Sequence, residues 1–256
     1  EWAKLRPILW SPTGEEVFFS RWGGRETRGA RLSGGTRNAS WIPGLDDVSR
    51  EGFFLDTGML SDNYRGVIRG LGPGEPAERN LSWLVGSTAA DLSRDGRQLL
   101  FYEEGSNPDQ PDGREVFTTF LRGTDGSDAV MLGEGRALAL SPDERWALVV
   151  RPFPEPVLVL LPTGAGEPRP LPRGDASILI HRRATFFPNG KRILFTTDEK
   201  TGKARSYTQD LEGGGPPKHF GDDGLRALLV SPDGLCVAAK TIEGKAVICR
   251  ADGAGR

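Results

Sequence analysis

Six times along this chain an apolar residue, in most copies the second of an apolar pair, leads into Ser-Pro-Asp-Gly, or a close relative of it, and then into a run of apolar residues. The copies are Leu9-Trp10-Ser11-Pro12-Thr13-Gly14 before Val17-Phe18-Phe19, and Asp47-Val48-Ser49-Arg50-Glu51-Gly52 before Phe53-Phe54-Leu55. Next come Asp91-Leu92-Ser93-Arg94-Asp95-Gly96 before Leu99-Leu100-Phe101, and Ala139-Leu140-Ser141-Pro142-Asp143-Glu144 before Trp146-Ala147-Leu148-Val149. The last two are Phe186-Phe187-Pro188-Asn189-Gly190 before Ile193-Leu194-Phe195, and Leu229-Val230-Ser231-Pro232-Asp233-Gly234 before Cys236-Val237-Ala238. Equivalent positions are 11, 49, 93, 141, 187 and 231, with gaps of 38, 44, 48, 46 and 44 residues. One such turn is commonplace; six at this spacing are a repeat.

The unit reads physically as a hairpin. Pro fixes φ at the second turn position, Asp tolerates the third, and Gly takes the left-handed conformation that closes a short loop. Glu144 stands where that Gly belongs in the fourth copy; positive φ strains a side chain, so a different turn is expected there. The flanking runs are short, turn-bounded, and β-branched or aromatic, which makes them strands.

A third strand follows most hairpins, clearest at residues 116–121, 157–161, 206–211 and 246–249. Gly-rich turns at 124–126, 163–166 and 212–215 lead to short fourth strands, such as 129–132 and 168–171. Four antiparallel strands in about 40–50 residues make one propeller blade, so the repeat predicts an all-β, six-bladed propeller of four-stranded antiparallel blades. It forms one domain over 1–256, without an internal linker. The first two blades are harder to read, because residues 29–40 are poor in apolar side chains. The last blade stops after its third strand. Either residues 2–5 supply a fourth or the chain is truncated, and truncation is favoured because both ends look cut.

Composition agrees with this reading. The 35 Gly and 19 Pro exceed ordinary usage, as a turn-rich β chain requires. With 37% hydrophobic and 27% charged residues, disorder is excluded. The net charge of −2 lacks the basic excess of a nucleic-acid binder, and Arg182-Arg183 and Lys191-Arg192 read as solvated positions. No run of 18 apolar residues exists, so no membrane contact is expected within the chain. The sequence begins with Glu1 rather than Met, so it is expected to start inside a longer protein, any targeting segment lying upstream. With Glu243-Gly244 as hairpin turn, Cys249 faces Ala238 and Cys236 is its diagonal neighbour. That is poor disulfide geometry, and buried free thiols are expected.

Catalytic patterns are missing from the sequence. There is no Gly-x-Ser-x-Gly, no Gly-rich phosphate loop followed by a strand lysine, no His-Arg-Asp and no Asp-Phe-Gly. His181, placed just before an inner strand, and His219, in a short fourth strand, lie in different blades and read as structural. Cys236, Cys249 and the distant histidines lack zinc spacing. Residues 107–113 resemble a calcium loop only until Pro111 falls on a ligand position. Residues 70–74 have the wrong spacing for a dinucleotide fingerprint, and the sequons at Asn38 and Asn80 read as accidental. No catalytic residue, cofactor or metal is expected.

Binding is expected where loops converge on a rigid scaffold. In a propeller, the loops between blades and between second and third strands share one face. The candidate contacts there are Trp83, Ser87, Asn107, Asp109, Asp112, Arg151, Phe153, His181 and Arg182, for a protein or small-ligand partner. Residues 103–115 exceed normal hairpin loops and are the leading segment. Trp83 and Phe153 read either as aromatic anchors or as packing between blades.

The repeated Ser-Pro-Asp-Gly turn followed by an apolar strand resembles TolB-like, or WD-like, bacterial propellers over essentially the whole chain. Residues 66–74, 78–84, 132–142 and 161–169 also resemble the propellers found C-terminal to bacterial serine/threonine protein kinases. That likeness implies an extracytoplasmic sensor or interaction module, tethered to a cytoplasmic kinase by a transmembrane helix. A free periplasmic TolB-like scaffold, and the gating propeller of a prolyl-oligopeptidase-like peptidase, are the alternatives.

Overall fold

The computed structural model describes residues 5–11, 13–21, 27–31, 33–38, 47–60, 65–106, 115–174, 178–199, 204–243 and 245–253. Their strands form six antiparallel sheets arranged as a six-bladed β-propeller. Blade 1 holds β1 (Leu5–Trp10), β2 (Glu16–Arg21), β3 (Thr27–Arg31) and β4 (Thr36–Asn38); blade 2 holds β5 (Asp47–Val48), β6 (Phe54–Leu60), β7 (Arg65–Leu71) and β8 (Arg79–Asn80). Blade 3 holds β9 (Ser87–Leu92), β10 (Gln98–Ser106), β11 (Glu115–Gly123) and β12 (Val130–Glu134); blade 4 holds β13 (Arg136–Leu140), β14 (Trp146–Arg151), β15 (Val157–Pro162) and β16 (Arg169–Pro170). Blade 5 holds β17 (Ile178–Phe186), β18 (Arg192–Glu199), β19 (Ala204–Asp210) and β20 (Lys218–Phe220). Blade 6 has three strands among the described residues, β21 (Arg226–Val230), β22 (Cys236–Lys240) and β23 (Ala246–Arg250). Blade 1 thus completes its sheet with β3 and β4 despite their scarcity of apolar residues.

The repeated turn works as its residues suggest. In blade 3 the Ser93 hydroxyl donates to Asp95 at 2.7 Å, and Ser93 Oγ accepts the Gln98 amide at 2.8 Å. Ser141 repeats both bonds with Asp143 and Trp146, and Ser231 with Asp233 and Cys236. One hydroxyl therefore ties the turn aspartate to the first residue of the next strand. Blade 5 has Phe187 instead, keeps the same backbone bonds, and places the Arg192 guanidinium 4.1 Å from the Phe187 ring. The turn glycines Gly14, Gly52, Gly96, Gly190 and Gly234 lie at φ between 70° and 86°. The different fourth turn that the sequence led us to expect is not found. Glu144 itself adopts φ 58° and donates its amide to Ser141 O at 2.8 Å, as Gly96 does to Ser93. The surrounding hairpin overrides the local preference.

Successive turns lean on one another. A Cβ on Gly190 would lie 3.8 Å from Pro142, one on Gly234 3.4 Å from Pro188, and one on Gly14 3.5 Å from Pro232. The last of these joins blade 1 to blade 6, where Leu229 also packs against the Leu9–Phe18 cluster.

The core lies in the seams. On β14, Ala147 and Val149 pack toward blade 3, while Leu148 and Val150 pack toward blade 5. Both faces of such a strand are buried, which is why it reads as an unbroken apolar run rather than an alternating one. Burying each of these larger side chains stabilises the fold by about 1.5–3 kcal/mol. The thiols are free, but the register differs by one from expectation. Cys249 pairs with Val237 and Cys236 with Arg250, because the loop runs from Thr241 to Lys245. Cys249 is buried and Cys236 half-buried. Among the described residues, no helix is long and apolar enough to cross a membrane.

Candidate recognition face and central channel

Between blades 2 and 3 the chain exposes three consecutive large apolar residues. Trp83 is 39% exposed, Leu84 59% and Val85 60%. Their backbone is held from beneath. Ser87 Oγ accepts the Trp83 amide at 3.0 Å, and Glu103 Oε1 accepts the Leu84 amide at 3.1 Å. The Ser87 hydroxyl also donates to Glu103 Oε1. Both supporting side chains are buried, Ser87 opening β9 and Glu103 pairing with it from β10. Gly86 at φ 107° lets the loop close onto this pair, since a Cβ there would meet Glu104 O at 3.2 Å. Glu103 Oε2 is buried with no hydrogen-bond partner among the described residues.

Trp83 packs on one side and is open on the other. Its ring lies 5.5 Å from the Arg122 guanidinium, and the rest stays open to solvent. Arg122 is itself buried. It donates to Leu81 O at 3.1 Å and Ser82 O at 3.2 Å in the connection out of blade 2, and to Gly126 O at 2.7 Å and Ser127 O at 3.0 Å in its own blade. Phe153, in the loop between β14 and β15, is 50% exposed rather than packed away between blades. Arg151 closes β14 and donates from Nε to Glu134 O at 3.2 Å.

Other expected contacts are relocated. Ser87 is fully buried and positions the loop; it offers a partner no surface. His181 does not precede the inner strand but lies within β17, opposite Thr197, and Arg182 falls at a register irregularity beside it. The inner strand of blade 5 simply starts earlier than its apolar run. Asn107, Asp109 and Asp112 lie outside the described residues. Glu103 marked only the start of a long segment in the sequence. Its role could be suspected from one signal, an acidic residue directly continuing the apolar run 99–102.

The inner strands enclose a central cavity of about 370 Å³, which the sequence did not reveal. Every blade contributes: Leu9, Asp47, Thr88 to Asp91, Arg136 to Ala139, Arg183 to Thr185, Leu228 and Leu229 line it. Alanines 89, 90, 137, 139 and 184 keep it open. Asp47 and Asp91 sit on its wall, and Asp91 is pushed well above the usual carboxylate range, first by burial and then by the Asp47 charge. No group of three or more His, Cys, Asp or Glu that could hold a metal occurs among the described residues.

No protein-family model matches the sequence, and no curated protein matches it. The fold defines the class, a six-bladed propeller, and solved structures share it. TolB from Acinetobacter baumannii aligns with a TM-score of 0.65 and 15% identity, over 98% of this chain and 62% of that one. A protein assigned as TolB from Agrobacterium tumefaciens aligns at 0.64 and 16% identity, over 84% of this chain and 79% of that one. The acylaminoacyl peptidase of Pyrococcus horikoshii aligns at 0.62 and 13% identity, over 99% of this chain and 44% of that one. The chain thus spans less than two thirds of two of these three proteins. At such identities the likeness is one of fold.

Proposed function

We propose that this chain is a single-domain, non-catalytic recognition propeller that binds a protein or small-ligand partner on the face carrying residues 83–87 and 152–156. The observation that carries this reading is the contrast at residues 83–87. Three exposed apolar side chains stand on a backbone fixed by buried Ser87 and Glu103. Exposed apolar groups on a pre-organised loop are what a binding surface needs, because little order is lost on association. In its finer form, the module is the extracytoplasmic sensor or interaction domain of a bacterial serine/threonine protein kinase, as the stretches 66–74, 78–84, 132–142 and 161–169 suggest.

The reading is tested in two ways. A photo-reactive residue placed at Leu84 should give a discrete adduct in the source cells that one at Leu235, 69% exposed on the opposite turn face, does not. Identical labelling at both positions would remove the face assignment. Sequencing the flanking coding region then separates the finer forms. A kinase domain and an apolar span of about 20 residues upstream support the receptor. A signal peptide upstream and an early stop support a free periplasmic scaffold. The match to a peptidase over nearly the whole chain favours a second reading, the gating propeller of a serine peptidase, which a flanking hydrolase domain would support.

A further inference from the structure

Leu92 offers its single amide hydrogen to two carboxyl groups. Its nitrogen lies 2.9 Å from Asp47 Oδ2 and 2.9 Å from Asp91 Oδ1. Asp47 stands on β5 of blade 2 and Asp91 on β9 of blade 3, each two residues before its turn serine. The remaining oxygens are also engaged. Asp47 Oδ1 accepts the Val48 amide at 2.8 Å, and Asp91 Oδ2 accepts the Leu140 amide of blade 4 at 2.6 Å. A continuous set of bonds therefore crosses two seams, from blade 2 to 3 and from blade 3 to 4, on the wall of the central cavity.

One amide cannot compensate two anionic oxygens. Two carboxylates forced together where protein replaces water do not both ionise at the ordinary carboxylate pH, and a shared proton removes the conflict. The charged and titratable side chains lining the same cavity are Tyr102 on β10, Arg136 on β13 and Arg183 on β17. Blade 1 brings Leu9, β6 brings Leu55, and β21 brings Leu228 and Leu229. Arg136, Arg183, Tyr102 and Asp47 each take part in further interactions.

We propose that Asp47 and Asp91 hold one proton between them and form a pH-sensitive clasp joining blades 2, 3 and 4 at the channel wall. With the proton in place, the pair carries one negative charge and every oxygen keeps its amide. When the proton leaves, two facing carboxylates repel across the seam between blades 2 and 3. Arg122 bridges the same seam, donating to Leu81 O at 3.1 Å and lying 5.5 Å from the Trp83 ring. The clasp does not depend on the recognition reading.

The sign follows from where the proton is held. The Asp91 carboxyl is raised, so the folded chain keeps a proton that the unfolded chain releases. Between the ordinary Asp value and the raised one, stability falls as pH rises, with one proton giving a tenfold change in the unfolding constant per pH unit. Above the raised value the dependence flattens.

The test is denaturant unfolding of the full chain from about pH 4 to about pH 8, for the unaltered protein, Asp91→Asn, Asp47→Asn and the double variant. Asp128→Asn, at an exposed position between β11 and β12, serves as the control. Each single variant should lose the tenfold-per-unit dependence that the unaltered protein and the control retain, and the double variant should lose no more than either single. Infrared spectroscopy of the unaltered protein reads the proton directly and needs no variant to fold. A protonated-carboxyl C=O band should persist at pH values where exposed aspartates are ionised. Absence of that band, or an unchanged pH dependence in Asp91→Asn, overturns the clasp.

Discussion

Glu103 holds Leu84 from beneath, its Oε1 3.1 Å from the Leu84 amide nitrogen, while the Leu84 side chain points to solvent with 59% of its surface exposed. Support and display are thus assigned to different residues. Glu103→Ala leaves the Leu84 amide and the Ser87 hydroxyl without their carboxylate acceptor. Unmade buried hydrogen bonds cost about 1–3 kcal/mol, so a loss of about 2 kcal/mol is expected. Leu84→Ser should change stability by less than about 0.5 kcal/mol. Denaturant titration separates the two, and amide exchange at Leu84 should accelerate only in Glu103→Ala.

Arg122 spends its guanidinium on four carbonyl oxygens, two of them in the connection out of blade 2. Lysine keeps the charge but lacks the planar fork. Arg122→Lys is expected to lower stability by about 2 kcal/mol, because buried carbonyls lose charged donors. The same denaturant titration checks it. An unchanged midpoint would mean that water replaces the lost donors.

Glu144 occupies left-handed backbone where four of the other turns have glycine in the same short loop and the fifth has Gly52. That conformation costs a side-chain-bearing residue about 1–2 kcal/mol, and glycine returns about 0.5–1 kcal/mol through the freer unfolded chain. Glu144→Gly should therefore stabilise the protein by about 0.5–1 kcal/mol. Burial, and then the nearby Asp95 charge, raise the Glu144 carboxyl above its usual range. A raised acid contributes stability at low pH that is lost as pH rises through its value. The gain from glycine should therefore be larger at neutral than at acidic pH, which thermal melts at two pH values would show.

The turn aspartates behave in the opposite sense. Asp95, Asp143 and Asp233 are each lowered below the usual Asp value, first by the hydroxyl of Ser93, Ser141 or Ser231. A lowered acid contributes stability that is present above its unfolded value and lost as pH falls through its folded one. Ser→Ala at 93, 141 and 231 together should flatten the acid limb of melting temperature against pH, while Ser→Ala at 82, outside these turns, should not.

The architecture was legible because its signal is local and repeated. Each turn states its own hairpin in six residues, and six copies count the blades. Glu144 shows the limit of that logic, since a residue with the wrong preference still takes the shape its neighbours impose. Register across the last hairpin was less legible, because Glu243-Gly244 resembles a two-residue turn but the loop spans Thr241 to Lys245. The exposed apolar loop at residues 83–85 was half legible. Trp83 and Phe153 were visible as candidates, whereas Ser87 turned out to be buried beneath the loop it was expected to decorate. Contacts such as Asp47 with the Leu92 amide, 45 residues apart, depend on how blades meet and leave no trace in sequence spacing.

The leaning of Gly14 on Pro232, Gly190 on Pro142 and Gly234 on Pro188 has an evolutionary corollary. A unit that shows proline to one neighbour and glycine to the other already fits a copy of itself. Tandem duplication of such a unit yields a ring without inventing a new interface at each step. Selection is then left to work on the loops, where inherited sameness has no value.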